Sequence, residues 1–433
     1  MQKSKEEFCE SGREPDGAFS GEFDQKFDQK FDQEFDQEFD QEFDREFDRK
    51  STHDLKWRRA GVEAYLSQPI RDDMIPMWIA DTDFGCMKGI VEAVKRRAEH
   101  EIYGYCAPGS DFYSAVAYWE KMRFGWDIQS GWVTALPSVV SGINIAVRAF
   151  SEEGNGIIVQ TPIYDPFINI VKRTGRVPVF NCLKNTGGHY EMDYDGLEML
   201  AADPNNRMLI LCSPHNPVGR VWREEELRRL AEICLKHNIM IVTDEIHSDI
   251  VYGDHCHHPL LSLDERYASK FIHLSAPGKT FNVPGLKMSF SLIPNPEIKA
   301  AFDEMQLAMS LDIKNTFGVE CVQACYTEEG VEWLGRLLAY LEANVDLVCS
   351  FIRTEMPAVR MERPEGTFLC WLDFSEYGIT DEELLKRVNL GAGVVCVPGE
   401  WFGKGGEKHL RLNIGCQRKT LGTALRRIKD AVG

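Results

Sequence analysis

The 433-residue sequence has no apolar run approaching the roughly 20 residues that a membrane-spanning helix needs. It has no positive surplus either: 49 Lys and Arg stand against 68 Asp and Glu, a formal net charge of -19. Nucleic acid and anionic membrane are therefore not expected as main partners, since both select basic surfaces. The N-terminal residues lack the apolar stretch of a secretory signal. The 13 cysteines form no Cys-x-x-Cys pair and no metal-ligand rhythm, so they read as reduced thiols of a cytoplasmic enzyme. There is no GxGxxG after a strand, no GxxxxGK[ST] and no HExxH. His255, His257 and His258 beside Cys256 fit an exposed loop rather than a zinc site, and no metal is expected. The glycine-rich residues 402–406 read as a turn. What remains is a chain, 43% hydrophobic, long enough for two or three domains.

The first 50 residues differ from the rest. From Phe23 to Lys50 a four-residue unit recurs, with Phe23, Phe27, Phe31, Phe35, Phe39, Phe43 and Phe47 in register. Residues 1–50 hold 17 acidic against 8 basic side chains. A period of four puts the phenylalanines on a drifting helical stripe. Two readings stay open: a partner-binding or self-associating helix, or an arm too poor in buried surface to offset its ordering entropy. No catalytic role is expected of it.

From residue 51 short apolar runs alternate with helical stretches. Runs over 157–160, 208–212, 239–243 and 271–274 read as strands, and 224–237 as a helix with acidic residues first and basic residues last. The alternation implies right-handed crossovers and a largely parallel sheet. After about residue 315 the texture changes to a long helical stretch over 318–355 and strand-like segments at 367–373 and 410–414. The expected domains are an arm (1–50), an N-terminal segment packing with the small domain (51–83), a large α/β domain (84–315) and a smaller α+β domain (316–433).

In open parallel sheets ligands bind beyond the carboxyl ends of the strands. Tyr164 follows the first run, Asn216 the second, Asp244 and His247 the third, and Lys279 the fourth. An aromatic, an amide, a carboxylate and a lysine at one sheet edge suit a flat, anionic heteroaromatic carbonyl compound. The ring stacks, its nitrogen pairs with the acid, its hydroxyl bonds the amide, and the lysine condenses with the carbonyl. Those are the needs of pyridoxal phosphate.

At these residues the sequence resembles the fold-type I, class I/II aminotransferase superfamily, and within it the cystathionine β-lyase (C–S lyase) branch. The resemblance runs from about Phe47 to the C-terminus. It is carried by Phe47-Asp48-Arg49 with Lys56-Trp57, by 77–84 from Met77-Trp78 to Asp83-Phe84, and by Gly104-Tyr105. It continues through 212–222, 244–249, Lys279-Thr280-Phe281-Asn282, 364–368 and 410–414. The resemblance implies that Lys279 is the Schiff-base lysine and also removes the substrate Cα proton. It makes Asp244 the partner of the ring nitrogen, Asn216 the donor to the ring hydroxyl and Tyr164 the stacking aromatic. His247 stands where aminotransferases often carry a tyrosine for that same oxygen; a structural histidine is the alternative.

Ser138, Val139 and Val140, leading into a helix at 142–150, match the phosphate turn. Tyr105 matches a tyrosine sent to the neighbouring subunit's phosphate, which implies a homodimer with shared active sites. Arg411 matches the arginine that grips the substrate carboxylate, and Asp81 lies in the segment 77–84 expected to wall the substrate pocket. Two residues depart from the pattern. Gly278 stands where a serine is common, and Lys287 where many relatives have an arginine, so phosphate contacts of a different kind are expected.

The reaction implied is release of a thiol from Cβ of L-cystathionine or a related cysteine S-conjugate, with pyruvate and ammonia. Amino transfer to a 2-keto acid is the alternative, since both reactions share the first steps. Relatives of this branch also imply a third class, regulation of a protein partner, which the acidic Phe-Asp repeat could serve.

Overall fold

The computed structural model describes residues 40–433, and most of the Phe-Asp repeat, residues 23–39, lies outside them. Seven strands form the central sheet: β1 (Val133–Leu136), β2 (Gly156–Val159), β3 (Val177–Phe180), β4 (Asn206–Cys212), β5 (Met240–Asp244), β6 (Phe271–Ser275) and β7 (Ser289–Leu292). They are ordered β1-β7-β6-β5-β4-β2-β3. Only β7 runs against its neighbours; the pairs from β6 to β3 are parallel.

The apolar runs are continuous because both faces of this sheet are covered. Side chains alternate across it. Ile157, Val159, Met208, Ile210, Val242 and Leu274 meet the helices Val139–Phe150 and Asp165–Arg173 on one face. Ile158, Leu209, Leu211, Ile241 and Phe271 meet Tyr194–Ala201 and Glu224–Lys236 on the other. Gly142 lets the first of these helices lie close: a Cβ there would sit 2.8 Å from a Leu274 methyl.

The C-terminal part holds an antiparallel sheet of β8 (Leu369–Asp373), β9 (Val397–Pro398) and β10 (His409–Asn413), ordered β8-β10-β9. The stretch expected as one helix over 318–355 is two, Thr316–Cys325 and Glu328–Glu355. Thr327 makes the break: its hydroxyl accepts the Gly330 N–H and caps the second helix, whose first turn carries Glu328 and Glu329.

The N-terminal segment joins the C-terminal part. Ile75–Pro76 pairs in parallel with Val394–Val395, and the Tyr65 hydroxyl donates to the Cys396 carbonyl at 2.9 Å. Packing begins earlier than the boundary at residue 50. Phe43 is only 1% exposed, enclosed by Phe84, Trp333 and Tyr340. Among the described residues no helix is long and apolar enough to cross a membrane.

Candidate active site

The sheet delivers the expected side chains to one edge because each strand stops where its apolar run stops. Asp244 is the last residue of β5, with its carboxylate buried and Oδ1 accepting the Ile246 N–H at 3.1 Å. Asn216 follows β4 and is buried; Tyr164 caps the helix after β2; Lys279 follows β6. The small sheet contributes Arg411 from β10, also buried, over the Phe402 ring at 5.1 Å. Arg411 Nη1 donates to Asn216 Oδ1 at 3.1 Å and Nη2 to the Trp78 carbonyl at 2.7 Å. Among the described residues its Nε is buried without a partner, as is Nδ1 of His247.

Segment 77–84 crosses this edge as a strap, and each of its eight carbonyls accepts a hydrogen bond. The Asn413 N–H takes Met77 O, and its side-chain amide takes Ile79 O and Asp81 O. Arg411 takes Trp78 O and the Lys279 amine takes Ala80 O. Asn282 takes Thr82 O and Phe84 O, while Gln417 takes Asp83 O. Such an irregular segment is stable only when its backbone polar groups find partners. Here side chains from two distant regions, 279–282 and 411–417, supply most of them.

The charges at this edge act on one another. Burial pushes the Lys279 amine down to about 8; the Asp81 carboxylate opposes this, Arg411 adds to it and Asp244 opposes it. Burial raises Asp244 to about 6, against the Ile246 N–H and the Lys279 charge. His247 is held well below its usual range by burial first and then by Lys279 and Arg411, so its ring is neutral at physiological pH. Tyr164 is pushed to about 12 by burial despite Arg411, and stays a phenol. The edge thus combines a neutralisable amine, a carboxylate and a guanidinium with one unused N–H.

Lys279, Asp244, His247, Asn216, Tyr164 and Arg411 are therefore brought together. Ser138 lies at the end of β1 as the N-cap of Val139–Phe150, its Oγ accepting the Ser141 N–H at 3.1 Å. Two expected residues stand apart within the chain: Tyr105 is 94% exposed and Lys287 is exposed in a left-handed turn (φ 51°). Asp81 is placed at the strap, but its carboxylate pairs with Arg49 at 2.9 Å and Lys56 at 3.5 Å. That carboxylate braces the strap within a cluster that also joins Asp54 and Asp83.

Of the loop read as exposed, His255 and Cys256 are exposed but His257 is buried, Nε2 lying 2.7 Å from Glu245 Oε2, where with His273 it compensates a fully buried carboxylate. Sequence reasoning missed the bracing residues Asn282 and Asn413 as well. Asn282 sits only three residues after the lysine, and Asn413 two after the arginine, which was the available signal.

The family model for aminotransferase class I and II matches residues 73–428. The chain is 40% identical to cystathionine beta-lyase PatB of Bacillus subtilis over 381 residues, covering 88% of this chain and 97% of that one. Cystalysin from Treponema denticola, whose structure contains pyridoxal 5'-phosphate, superposes with a TM-score of 0.86 at 32% identity, over 90% of this chain and 98% of that one. A PLP-bound putative aminotransferase from Clostridium difficile gives 0.87 at 36% identity, over 90% and 99%. The edge of the sheet, its lysine and its arginine are thus those of a chain that belongs to the class I and II aminotransferase family, with the fold-type I architecture.

Proposed function

We propose that this chain is a PLP-dependent carbon–sulfur β-lyase that cleaves L-cystathionine or a related cysteine S-conjugate to a thiol, pyruvate and ammonia. The observation that carries the reading is the meeting of Lys279, Asp244 and Arg411 at one sheet edge, where burial, helped by Arg411 and opposed by Asp81 and Asp244, lowers the Lys279 amine to about 8. The lyase names of its relatives support it.

The residues present fit pyridoxal phosphate. His247 Nδ1 is a buried polar atom with no hydrogen-bond partner among the described residues, and Asp244 is a buried carboxylate that could meet a ring nitrogen. Asn216 and Tyr164 would hold the ring hydroxyl and face, and Ser138, Val139 and Val140 would offer backbone donors to the phosphate. When bound, the cofactor supplies an aldehyde and an electron-withdrawing ring that make the substrate Cα–H acidic.

Arg411 orients the amino acid by its carboxylate, with Nη1 and Nη2 already fixed and Nε unused. Lys279, deprotonated to an appreciable extent near neutral pH, removes the proton at Cα. A thiolate on Cβ then leaves, being far less basic than hydroxide. Homodimeric assembly in the cytoplasm completes the proposal. The exposed Tyr105 is open to a neighbouring subunit, and the described cysteines are free thiols, as a reducing compartment keeps them.

The test is one purified sample given L-cystathionine without any keto acid. Many turnovers of pyruvate and free thiol in equal amounts are expected. Amino transfer only on addition of a keto acid would replace the lyase by an aminotransferase, and no visible band after adding pyridoxal phosphate would overturn both.

A further inference from the structure

The unit around Phe43 is docked in a socket that reads only three side chains. Phe43 fills an aromatic pocket, with ring centres 5.4 Å from Phe84, 5.5 Å from Tyr340 and 5.7 Å from Trp333. Asp44 accepts the Tyr340 hydroxyl, and Glu42 pairs with Arg336 at 2.9 Å. The next residue, Arg45, is held through its carbonyl, which accepts from Gln417 at 3.0 Å. Its guanidinium lies over the Phe47 ring at 4.7 Å, within the arm and not against the socket, so the socket's own side chains do not distinguish Arg45 from another residue at that place. What it reads is Glu-Phe-Asp.

That triplet is not unique to residues 42–44. The sequence repeats it at 22–24, 34–36, 38–40 and 46–48, the last abutting Arg49 and so leaving no link to it, whereas the units at Phe27 and Phe31 begin with Lys26 and Lys30. We propose that the socket is a binding site for the chain's own repeat, and that the copies at Phe23, Phe35 and Phe39 can each take the place of Phe43.

A shift by one copy is a shift of four residues. The link between the docked triplet and Arg49 then lengthens from residues 45–48 to 41–48. Such lengthening is tolerated, because loop-closure entropy grows only with the logarithm of length. The shortest link favours Phe43, which is the copy found docked. Lys26 and Lys30 would set a cation against Arg336, so those copies are excluded by charge. The repeat thereby acts as a redundant anchor on Phe84, the end of the substrate-side strap, while Arg49 independently holds Asp81 and Asp83.

The experiment compares thermal midpoints of full-length protein saturated with pyridoxal phosphate. Phe43→Ala alone is expected to lose no more than about 2 °C, and F23A/F35A/F39A nothing measurable. F23A/F35A/F39A/F43A is expected to fall by roughly 5 °C or more, as loss of a buried aromatic does in a chain with no substitute. A second set separates charge from bulk: E22K/E34K/E38K/F43A, which keeps the upstream phenylalanines, should fall as far as the fourfold alanine variant. If Phe43→Ala alone falls as far as that variant, the socket has a single register and the proposal fails. It fails too if the fourfold variant melts like wild type.

Discussion

At Arg411 two of the three guanidinium nitrogens are tied to Asn216 and the Trp78 carbonyl, and Nε is buried with nothing to bond. A lysine would keep the charge but lose the planar fork. Arg411→Lys is therefore expected to raise KM for L-cystathionine tenfold or more with a smaller fall in kcat, read by steady-state kinetics. Asp244 makes a prediction with a sign. Its carboxylate titrates near 6 in the folded protein, above an ordinary aspartate near 4. Below pH 6 it is protonated and no longer attracts a protonated ring nitrogen. Cofactor affinity of the cofactor-free protein should thus fall as pH drops through 6, and Asp244→Asn should flatten that dependence in absorbance titrations.

The same shift has a stability side. The folded state holds that proton more tightly than the unfolded chain, so this group's contribution declines as pH rises from about 4 to about 6. Above pH 6 the cofactor-free Asp244→Asn protein should be more stable than wild type, by about 1–3 kcal/mol in urea unfolding. Asp244 was legible in the sequence because it follows an apolar run directly, so its position at the sheet edge needs no knowledge of the rest of the chain, whereas Arg411, inside its strand, was reached only through the family resemblance.

Elements tell a different story. The strap at 77–84 has almost no regular structure, and its order comes from side chains more than 190 residues away, chiefly Lys279, Asn282, Arg411 and Asn413. Asn282 alone joins Thr82 at both its N–H and its carbonyl and also reaches Phe84. Asn282→Ala leaves the Thr82 N–H and the Phe84 carbonyl without their partner, while Arg49 still holds the Thr82 carbonyl at 2.9 Å, and a loss of about 2–4 kcal/mol is expected in urea unfolding. A fall in kcat/KM should accompany it as the strap loosens. A side-chain-to-backbone bond across such separations leaves no periodic trace, which is why the braces were not legible. β7 was missed for a related reason: Ser289 and Ser291 alternate with Phe290 and Leu292 yet all four are fully buried, so a polar-apolar alternation gave no warning of a central strand. The break before Thr327 did carry its signal, a threonine followed by two glutamates, inside a stretch whose apolar residues continued past it.

For the whole molecule, the parallel sheet covered on both faces follows from apolar runs separated by helical stretches, and was readable. The packing of the N-terminal segment with the C-terminal part was expected, but the strand pairing that joins them was not, because Ile75–Pro76 and Val394–Val395 are two-residue strands far apart in sequence. Assembly makes the remaining prediction. Tyr105 is 94% exposed; if it completes a neighbour's phosphate site, Tyr105→Phe should weaken cofactor binding roughly tenfold, the worth of one hydrogen bond. Unchanged affinity in an absorbance titration would rule out the shared site.

The fully bonded strap also orders events in time. Its partners leave the ribosome in sequence: Arg49 and Lys56 early, Lys279 and Asn282 midway, and Asn413 and Gln417 within the last 21 residues of the chain. Synthesis proceeds from the N-terminus, and domains form as they emerge. The large sheet, with its lysine and its carboxylate, is thus complete while Met77, Ile79 and Asp83 still lack their carbonyl partners. A nascent chain therefore carries the reactive amine before it has the wall that selects what the amine may meet, and selectivity is the last property it acquires.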